Sequence, residues 1–171
     1  ISITIFPTAY TIPATGGLWI NSTNATVNTG ANLTISGDLT LTAGTLNIGN
    51  AANENLISGG GQITVEEGSL NIAGRFDRTF GTTITKLDMK GGTIIVPAIG
   101  STSTTIAPFE MSVIGSVFNM SDGTIILQRE GGDGTQDFGI IISEGTNNIT
   151  GGTLQIGDGS TPASQIISIN S

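Results

Sequence analysis

The sequence contains no cysteine and no histidine. Without cysteine the chain has no disulfide bonds and no thiolate metal ligands, so its stability has to come from a buried core. Without either residue type it also has no Ser-His-Asp triad and no thiol nucleophile. Any enzymatic chemistry would rest on carboxylates and a few basic groups, and we expect that the protein is not an enzyme.

Charged residues are scarce as well. They make up only 11% of the chain, less than half of the usual fraction, and 13 acidic residues stand against 5 basic ones, for a net charge of −8. So few cations leave no basic patch for phosphate groups, and we therefore expect neither nucleic acid nor an anionic membrane surface as a partner. No run of 18 apolar residues is present either, so we expect no membrane insertion.

The sequence is rich in Gly, Thr, Asn, Ser and Ile, and it repeats a five-residue segment that begins with glycine. The five clear copies of this segment start at Gly44, Gly68, Gly92, Gly123 and Gly152. The intervals between these glycines are 24, 24, 31 and 29 residues. We interpret residues 16–20 as a degenerate earlier copy. Self-similarity at such intervals is typical of repeat architectures.

Apolar residues recur at four fixed offsets from each of these glycines: five and three residues before it, and two and four residues after it. The four columns contain Leu39, Ile63, Leu87 and Phe118; Leu41, Val65, Met89, Met120 and Ile149; Leu46, Leu70, Ile94, Ile125 and Leu154; and Ile48, Ile72, Val96, Leu127 and Ile156. Asn147 is the one polar residue in these columns. Because residues i and i+2 share one face of a strand, each copy predicts two short inward-facing strands with the glycine at the bend between them.

A third inward strand in each repeat is indicated by further apolar residues. These are Leu33 and Ile35, Leu56 and Ile57, Val113 and Ile114, and the run from Ile140 to Ile142. Three short strands per repeat predict an all-β fold, namely a right-handed parallel β-helix (β-solenoid) of about six coils. An antiparallel sandwich is the alternative, but it does not explain columns that align at an interval of 24 residues.

We expect a single β-helix domain over residues 1–171. Its N-terminal part at 1–32 is rich in turn-forming residues and reads as irregular, whereas residues 33–171 read as regular coils. The chain begins at Ile1 without a methionine and without a signal segment, so we expect it to be a fragment of a longer chain.

The column three residues after each glycine points outward in this interpretation. It holds Asn47, Asn71, Ile95, Ile126 and Gln155. Ile95 and Ile126 therefore form an outward apolar patch, and together with Phe109 and Phe138 they are our candidate partner surface. We favour the interpretation that neighbouring loops cover this patch, with binding of a partner as the alternative.

The two longer repeats place their extra residues in loops at 97–108 and 128–139, on one flank of the stack. The second loop contains Glu130, Asp133 and Asp137, whose carboxylates are the ligands that Ca²⁺ prefers. The string nearly fits a calcium-binding nonapeptide, but a glutamine stands where that repeat requires aspartate, and there is one copy only. We favour a solvated turn and expect no cofactor, with calcium as the alternative.

A second cluster of charges lies at 75–78, where two arginines flank an aspartate, with Lys86 and Asp88 shortly after. This cluster, or the loop of Glu130, is the basis of our alternative function, a carbohydrate-binding or polysaccharide-cleaving β-helix. Many β-helix proteins cleave acidic polysaccharides with clustered aspartates and an arginine or lysine base. A surface ion pair is the simpler interpretation. We also expect Glu66 and Lys90 to pair, since both stand two residues before the glycines of successive repeats.

The repeated segments, together with residues 36–41 and 151–157, resemble the β-helical stalks of very large secreted bacterial surface proteins. The style is most similar to surface proteins and gliding adhesins exported by the type IX system of Bacteroidetes, and it is similar to autotransporter and filamentous-haemagglutinin-like passengers. This resemblance implies an extracellular location at the bacterial cell surface and a role as a structural or adhesive segment. The implied partners are other segments of the same large surface protein, and host or surface glycans and proteins. The resemblance carries over no functional residue, because such families are defined by their repeats.

Overall fold

The computed structural model describes residues 2–51, 54–76, 83–97, 107–111, 113–128, 138–142, 145–161 and 168–170. Within these residues the chain is all-β, and every pairing between strands is parallel. The predicted all-β class is therefore confirmed, and the antiparallel alternative is wrong. Runs of β-branched and aliphatic residues at a spacing of two favour strands of this kind.

The described residues form fifteen strands. They are β1 (Ser2–Phe6), β2 (Tyr10–Ile12), β3 (Gly17–Thr29), β4 (Leu33–Ile35), β5 (Asp38–Ile48), β6 (Leu56–Ser58), β7 (Gln62–Val65), β8 (Ser69–Ile72), β9 (Lys86–Val96), β10 (Phe109–Glu110), β11 (Val117–Leu127), β12 (Phe138–Ile141), β13 (Thr146–Ile149), β14 (Thr153–Ile156) and β15 (Ser168–Asn170). The strands β5, β9 and β11 run through the bend at a repeat glycine, whereas β7 and β8 stop on either side of one.

The largest sheet has the strand order β1-β3-β5-β7-β9-β11-β13, while β8 pairs with β5 and β9, and β14 pairs with β11. We call the pairings before the glycines the first ladder and those after them the second ladder. The two smaller sheets, β2-β4-β6 and β10-β12-β15, are linked by bridges of Phe76 to Leu56 and Phe109. They form the third ladder. Each strand thus pairs with the corresponding strand of a neighbouring repeat.

One closed ring of pairings joins β5, β7, β9 and β8. It arises because β5 and β9 each extend over 11 residues and take part in both the first and the second ladder. Between them, β7 pairs only in the first ladder and β8 only in the second. The ring therefore closes around the bend between β7, which ends at Val65, and β8, which begins at Ser69.

The registers place the predicted columns side by side. In the first ladder Leu39 pairs with Ile63, and in the second Leu46 pairs with Leu70. From the first to the fourth clear copy, all residues of the four columns are buried in one hydrophobic core. Burying this many aliphatic side chains supplies the main favourable contribution to folding, at about 25 cal/mol per Å² of apolar surface.

The predicted burial fails in the last clear copy. Ile149, Leu154 and Ile156 are 53%, 36% and 42% exposed, although they occupy core columns. Among the described strands, β13 and β14 pair with β11 alone, so no neighbouring repeat covers their other side. A repeat of this kind cannot bury its apolar face without neighbours on both sides.

The predicted bend at the repeat glycine is confirmed at most copies. Gly92 and Gly123 have positive φ angles of 69° and 92°, a conformation that other residues rarely adopt. A Cβ atom at Gly123 would also lie 2.6 Å from the carbonyl oxygen of Gly91. Both the backbone conformation and the close approach of the neighbouring repeat therefore require glycine there.

The degenerate copy proposed at residues 16–20 is assigned to the wrong ladder. Its Leu18 pairs with Leu39 in the first ladder, before the glycine rather than after it. The segment equivalent to the glycine-started copies is instead the end of β3, where Val27 pairs with Leu46. This equivalence was hidden because β3 carries extra residues at its bend, where the register shifts between Asn21 and Thr26.

The third strand is confirmed for β4 and, at Ile140 and Ile141, for β12, which pairs with β10 and β15 in the third ladder; it differs at the other two positions. In β6 the buried residues are Leu56 and Ser58, so Ile57 does not point inward as predicted. The prediction at 113–114 is wrong, since Ile114 is 78% exposed and the strand is β10. The insertion in this longer repeat increases the number of residues between the repeat glycine and the third strand. The spacing of the shorter repeats therefore does not predict where this strand lies.

Candidate functional site

The outward column of the second ladder contains a chain of hydrogen-bonded amides. Asn28, Asn47 and Asn71 stand in register in β3, β5 and β8. Nδ2 of Asn47 donates to Oδ1 of Asn28 at 2.7 Å, and Nδ2 of Asn71 donates to Oδ1 of Asn47 at 2.8 Å. The alternation of the strands directs all three side chains outward, while the parallel register brings their amides within hydrogen-bond distance. Asn28 was missed in the sequence because its repeat was aligned wrongly.

The amide chain ends at Asn71. The next residue in the column is Ile95, whose side chain has no donor. Oδ1 of Asn71 is consequently buried without a hydrogen-bond partner. A buried acceptor left in this state costs about 1–3 kcal/mol. The outward surface therefore changes from polar to apolar between these two residues.

A cleft of about 450 Å³ lies at this transition. Its lining residues are Asn47, Gly49, Asn71, Ile72, Ala73, Ile95 and Pro97. The cleft thus combines two amides of the hydrogen-bonded chain with an apolar wall. Its position beside Pro97 puts it at the start of the loop predicted at 97–108, whose residues 98–106 lie outside the described part of the chain.

The predicted partner surface is only partly present. Ile95 and Ile126 pair in register and are both partly exposed, so they do form an adjacent apolar pair on the outward face. Phe109 is a correction, because it is fully buried and stacks on Phe76 with ring centroids 4.4 Å apart. It belongs to the core and is not accessible to a partner. The side chain of Phe138 lies outside the described part of the structure.

The calcium candidates Glu130, Asp133 and Asp137 fall outside the described residues. Within the residues that the structure describes, no group of three or more His, Cys, Asp or Glu side chains is placed to hold a metal ion. The solvated turn that we expect at this loop, with calcium binding as the alternative, therefore stays a prediction.

Only Arg75 and Phe76 of the charge cluster at 75–78 lie within the described residues. Arg75 is only 5% exposed, and its backbone N–H donates to Oδ1 of Asn55 at 2.9 Å. Phe76 is a core residue, and Asp77 and Arg78 lie outside the described residues. Arg75 therefore contributes to the wall of the fold rather than to an open surface.

The predicted pairing of Glu66 with Lys90 is confirmed. Nζ of Lys90 lies 3.6 Å from a carboxylate oxygen of Glu66 and 3.5 Å from one of Asp88. The Lys90 side chain is half exposed, so water and salt screen both pairs and each contributes at most about 1 kcal/mol. This group of charges is a surface network.

A second cleft, of about 390 Å³, lies on the outward face of the first ladder. Gly17, Leu18, Trp19, Asp38 and Thr40 line it. Trp19 is 68% exposed, and its indole Nε1 donates to Oγ1 of Thr42 at 3.0 Å. In the sequence, the alternation of Leu18, Trp19 and Ile20 indicates that the indole of Trp19 points outward. Asp38 is brought next to this indole only by the pairing of β3 with β5.

Comparison of the chain with known proteins finds no relative. Searches against family models, curated proteins and solved structures each find no match for the chain. In the described part of the chain, none of the structure is a helix with the length and apolar character needed to cross a membrane.

Proposed function

We propose that the chain is a segment of a right-handed parallel β-helix that serves as a non-catalytic structural and adhesive element of a bacterial extracellular surface protein. The observation that carries this proposal is that corresponding strands of successive repeats pair in parallel and in register along three ladders. In a solenoid, each repeat contacts only its neighbours, and the core is continuous only when the repeats stack.

The order in which the chain visits the ladders supports a helical course. β7 lies in the first ladder, β8 in the second and Phe76 in the third, and β9 then returns to the first. The four-strand ring fits this course. β5 and β9 each continue through the bend of their coil, whereas β7 and β8 are separated at the bend of the coil between them. Parallel crossover connections are right-handed in almost all proteins, which favours that hand here.

Contacts between side chains along the stack support a structural role. The hydrogen bond from Asn71 to Asn47 joins residues 24 positions apart in the sequence, and the ion pair of Lys90 with Glu66 joins equivalent positions of successive repeats. Stacked repeats advance by about 4.8 Å each and present long, rigid surfaces. Such a surface suits a stalk or an adhesin better than a mobile binding domain.

The extracellular location and the adhesive role rest on the resemblance of the repeated segments to bacterial surface stalks. The cleft beside Asn71 and the apolar pair Ile95 and Ile126 are the face that we assign to adhesion. The proposed partners are other segments of the same surface protein and glycans or proteins of a host or of another surface.

Removal of one complete repeat tests the architecture. Deletion of residues 45–68 joins Gly44 to Ser69, so that the first half of β5 is followed by β8 and all inward columns stay aligned. In a β-helix the shortened chain should still fold, with parallel β-structure by circular dichroism and a cooperative but lower thermal transition, because one coil is lost.

The matched control is a deletion of half a repeat, residues 45–56, which puts polar residues into the inward columns and should prevent folding. In a closed barrel, by contrast, the deletion of 45–68 would remove β7 from the ring of four strands and should prevent folding as well. Failure of both deletions to fold would therefore contradict the β-helix.

Incubation with acidic polysaccharide tests the non-catalytic role. We expect no increase in chain ends when the protein is mixed with polygalacturonate, with or without added Ca²⁺. Saturable cleavage that disappears in Asp77→Asn or Arg78→Ala, while the thermal transition is unchanged, would show that the charge cluster is an active site and that the role is catalytic.

A further inference from the structure

Trp19 is the one tryptophan of the chain, and its side chain lies on the outward face of the first ladder. It is 68% exposed, whereas the neighbouring residue in the same column, Thr40, is small and polar. Large aromatic side chains are usually buried, since each of them removes about 150–250 Å² from water. An exposed indole on the outward face of a sheet therefore offers an apolar platform to a ligand.

The indole is held in place before any ligand arrives. Its N–H donates to Oγ1 of Thr42 at 3.0 Å, and the hydroxyl of Thr42 in turn donates to Oε2 of Glu66 at 2.9 Å. This chain of hydrogen bonds satisfies the polar group of the ring within the protein. The ring face remains available, and a ligand does not have to bear the entropic cost of ordering it.

The cleft beside the indole ring of Trp19 supplies a carboxylate and a hydroxyl group. Asp38 is exposed and brings a carboxylate, which accepts hydrogen bonds, and Thr40 adds a hydroxyl. Among the described residues that line this cleft, none is basic. Anionic ligands are disfavoured by the carboxylate and by the net charge of −8, whereas neutral hydroxyl groups can donate to it.

We propose that this cleft binds a neutral hexose glycan, with the apolar face of a pyranose ring stacked on Trp19 and a sugar hydroxyl donating to the carboxylate of Asp38. A pyranose matches the cleft because it combines an apolar C–H face with hydroxyl groups around its rim. Thr40 and Thr64 continue the same outward column in register, so an oligosaccharide finds further polar contacts along the stack. This site lies outside the adhesive face assigned above and does not depend on it.

Fluorescence of Trp19 reports on the site directly, because no other tryptophan contributes. The chain is titrated with neutral hexasaccharides of the gluco, manno and galacto series, and with hexagalacturonate as the anionic counterpart. We expect a saturable change in emission with at least one neutral hexasaccharide, a weaker one with the corresponding methyl glycoside, and none with hexagalacturonate. The absence of any saturable change up to about 10 mM of every neutral hexasaccharide would overturn the proposal.

Variants followed by calorimetry assign the binding to the cleft. Trp19→Ala should weaken binding of the responding hexasaccharide by about tenfold or more, whereas Trp19→Phe keeps a ring face and should lose less. Asp38→Ala should also weaken it. Ile114→Ala, at an exposed apolar residue outside the cleft, is the matched control and should leave it unchanged.

Two results would contradict the assignment. Unchanged affinity in Trp19→Ala, with the variant folded by circular dichroism, would place the binding elsewhere. Tighter binding of hexagalacturonate than of every neutral hexasaccharide would overturn the neutral class of ligand.

Discussion

The outward column of the second ladder is built from two chemistries on one backbone. In the first three repeats, Asn28, Asn47 and Asn71 pass hydrogen bonds along the stack. In the next two, Ile95 and Ile126 occupy the same register and offer only apolar contacts. The boundary leaves Oδ1 of Asn71 buried without a partner, and it coincides with the cleft of about 450 Å³.

The pairing of strands in the ladders does not depend on the outward side chains. Parallel pairing continues through the change from asparagine to isoleucine, because backbone hydrogen bonds and the inward columns are the same on both sides. The outward residues are therefore free to serve other purposes. In the amide part they connect repeats, and in the apolar part they form a surface that a loop or a partner can cover.

We expect the largest loss of stability from a substitution on the inward side of this boundary. Leu70 is fully buried, and Leu70→Asp should cost about 4 kcal/mol or more, or prevent folding, because it buries an unpaired charge. Ile95→Asp is the matched outward change and should cost much less, since that side chain reaches water. Urea denaturation measures both, and equal losses would mean that the inward and outward assignments are wrong.

A smaller loss is expected within the amide chain. Asn47→Ala removes the donor to Asn28 and the acceptor of Asn71, and should cost about 2 kcal/mol. Thr45→Ala, two residues away on the outward side, should change the midpoint of denaturation little. A loss in Asn47→Ala no greater than that in the threonine variant would show that the amide hydrogen bonds contribute nothing.

The smallest change in stability is expected where the chain of amides stops, and it is a gain rather than a loss. Ile95→Asn places a donor next to the unpaired Oδ1 of Asn71 and should stabilise the fold by up to about 1 kcal/mol, after the loss of apolar contacts is subtracted. Ile95→Ala removes the apolar contacts of the same side chain without supplying a donor and should destabilise. Thermal denaturation compares the two, and equal losses would contradict the continuity of the column.

Much of the fold was predictable from the spacing of residues. The columns around Gly44, Gly68, Gly92 and Gly123 are core columns, and the pairing of Glu66 with Lys90 followed from the same alignment. These predictions succeeded because the period of two within a strand and the interval between repeats are both visible in a single chain.

The failures fall where the interval changes or where a neighbour is missing. Phe109 appeared as a surface residue because a long insertion displaced the third strand of its repeat. The extra residues at the bend of β3 put Trp19 in the wrong ladder, and they hid the register of Asn28. Periodicity locates residues only while the repeat length is constant.

By itself, the sequence determined the all-β class and which residues of the regular repeats face the core, because both follow from local alternation of apolar side chains. Only the tertiary structure decided which residues of different repeats meet. The chain of amides, its unpaired end at Asn71 and the cleft of Trp19 with Asp38 all depend on contacts between repeats. Such contacts are set by the register of parallel strands that lie 19 to 24 residues apart in the chain, which no local pattern contains.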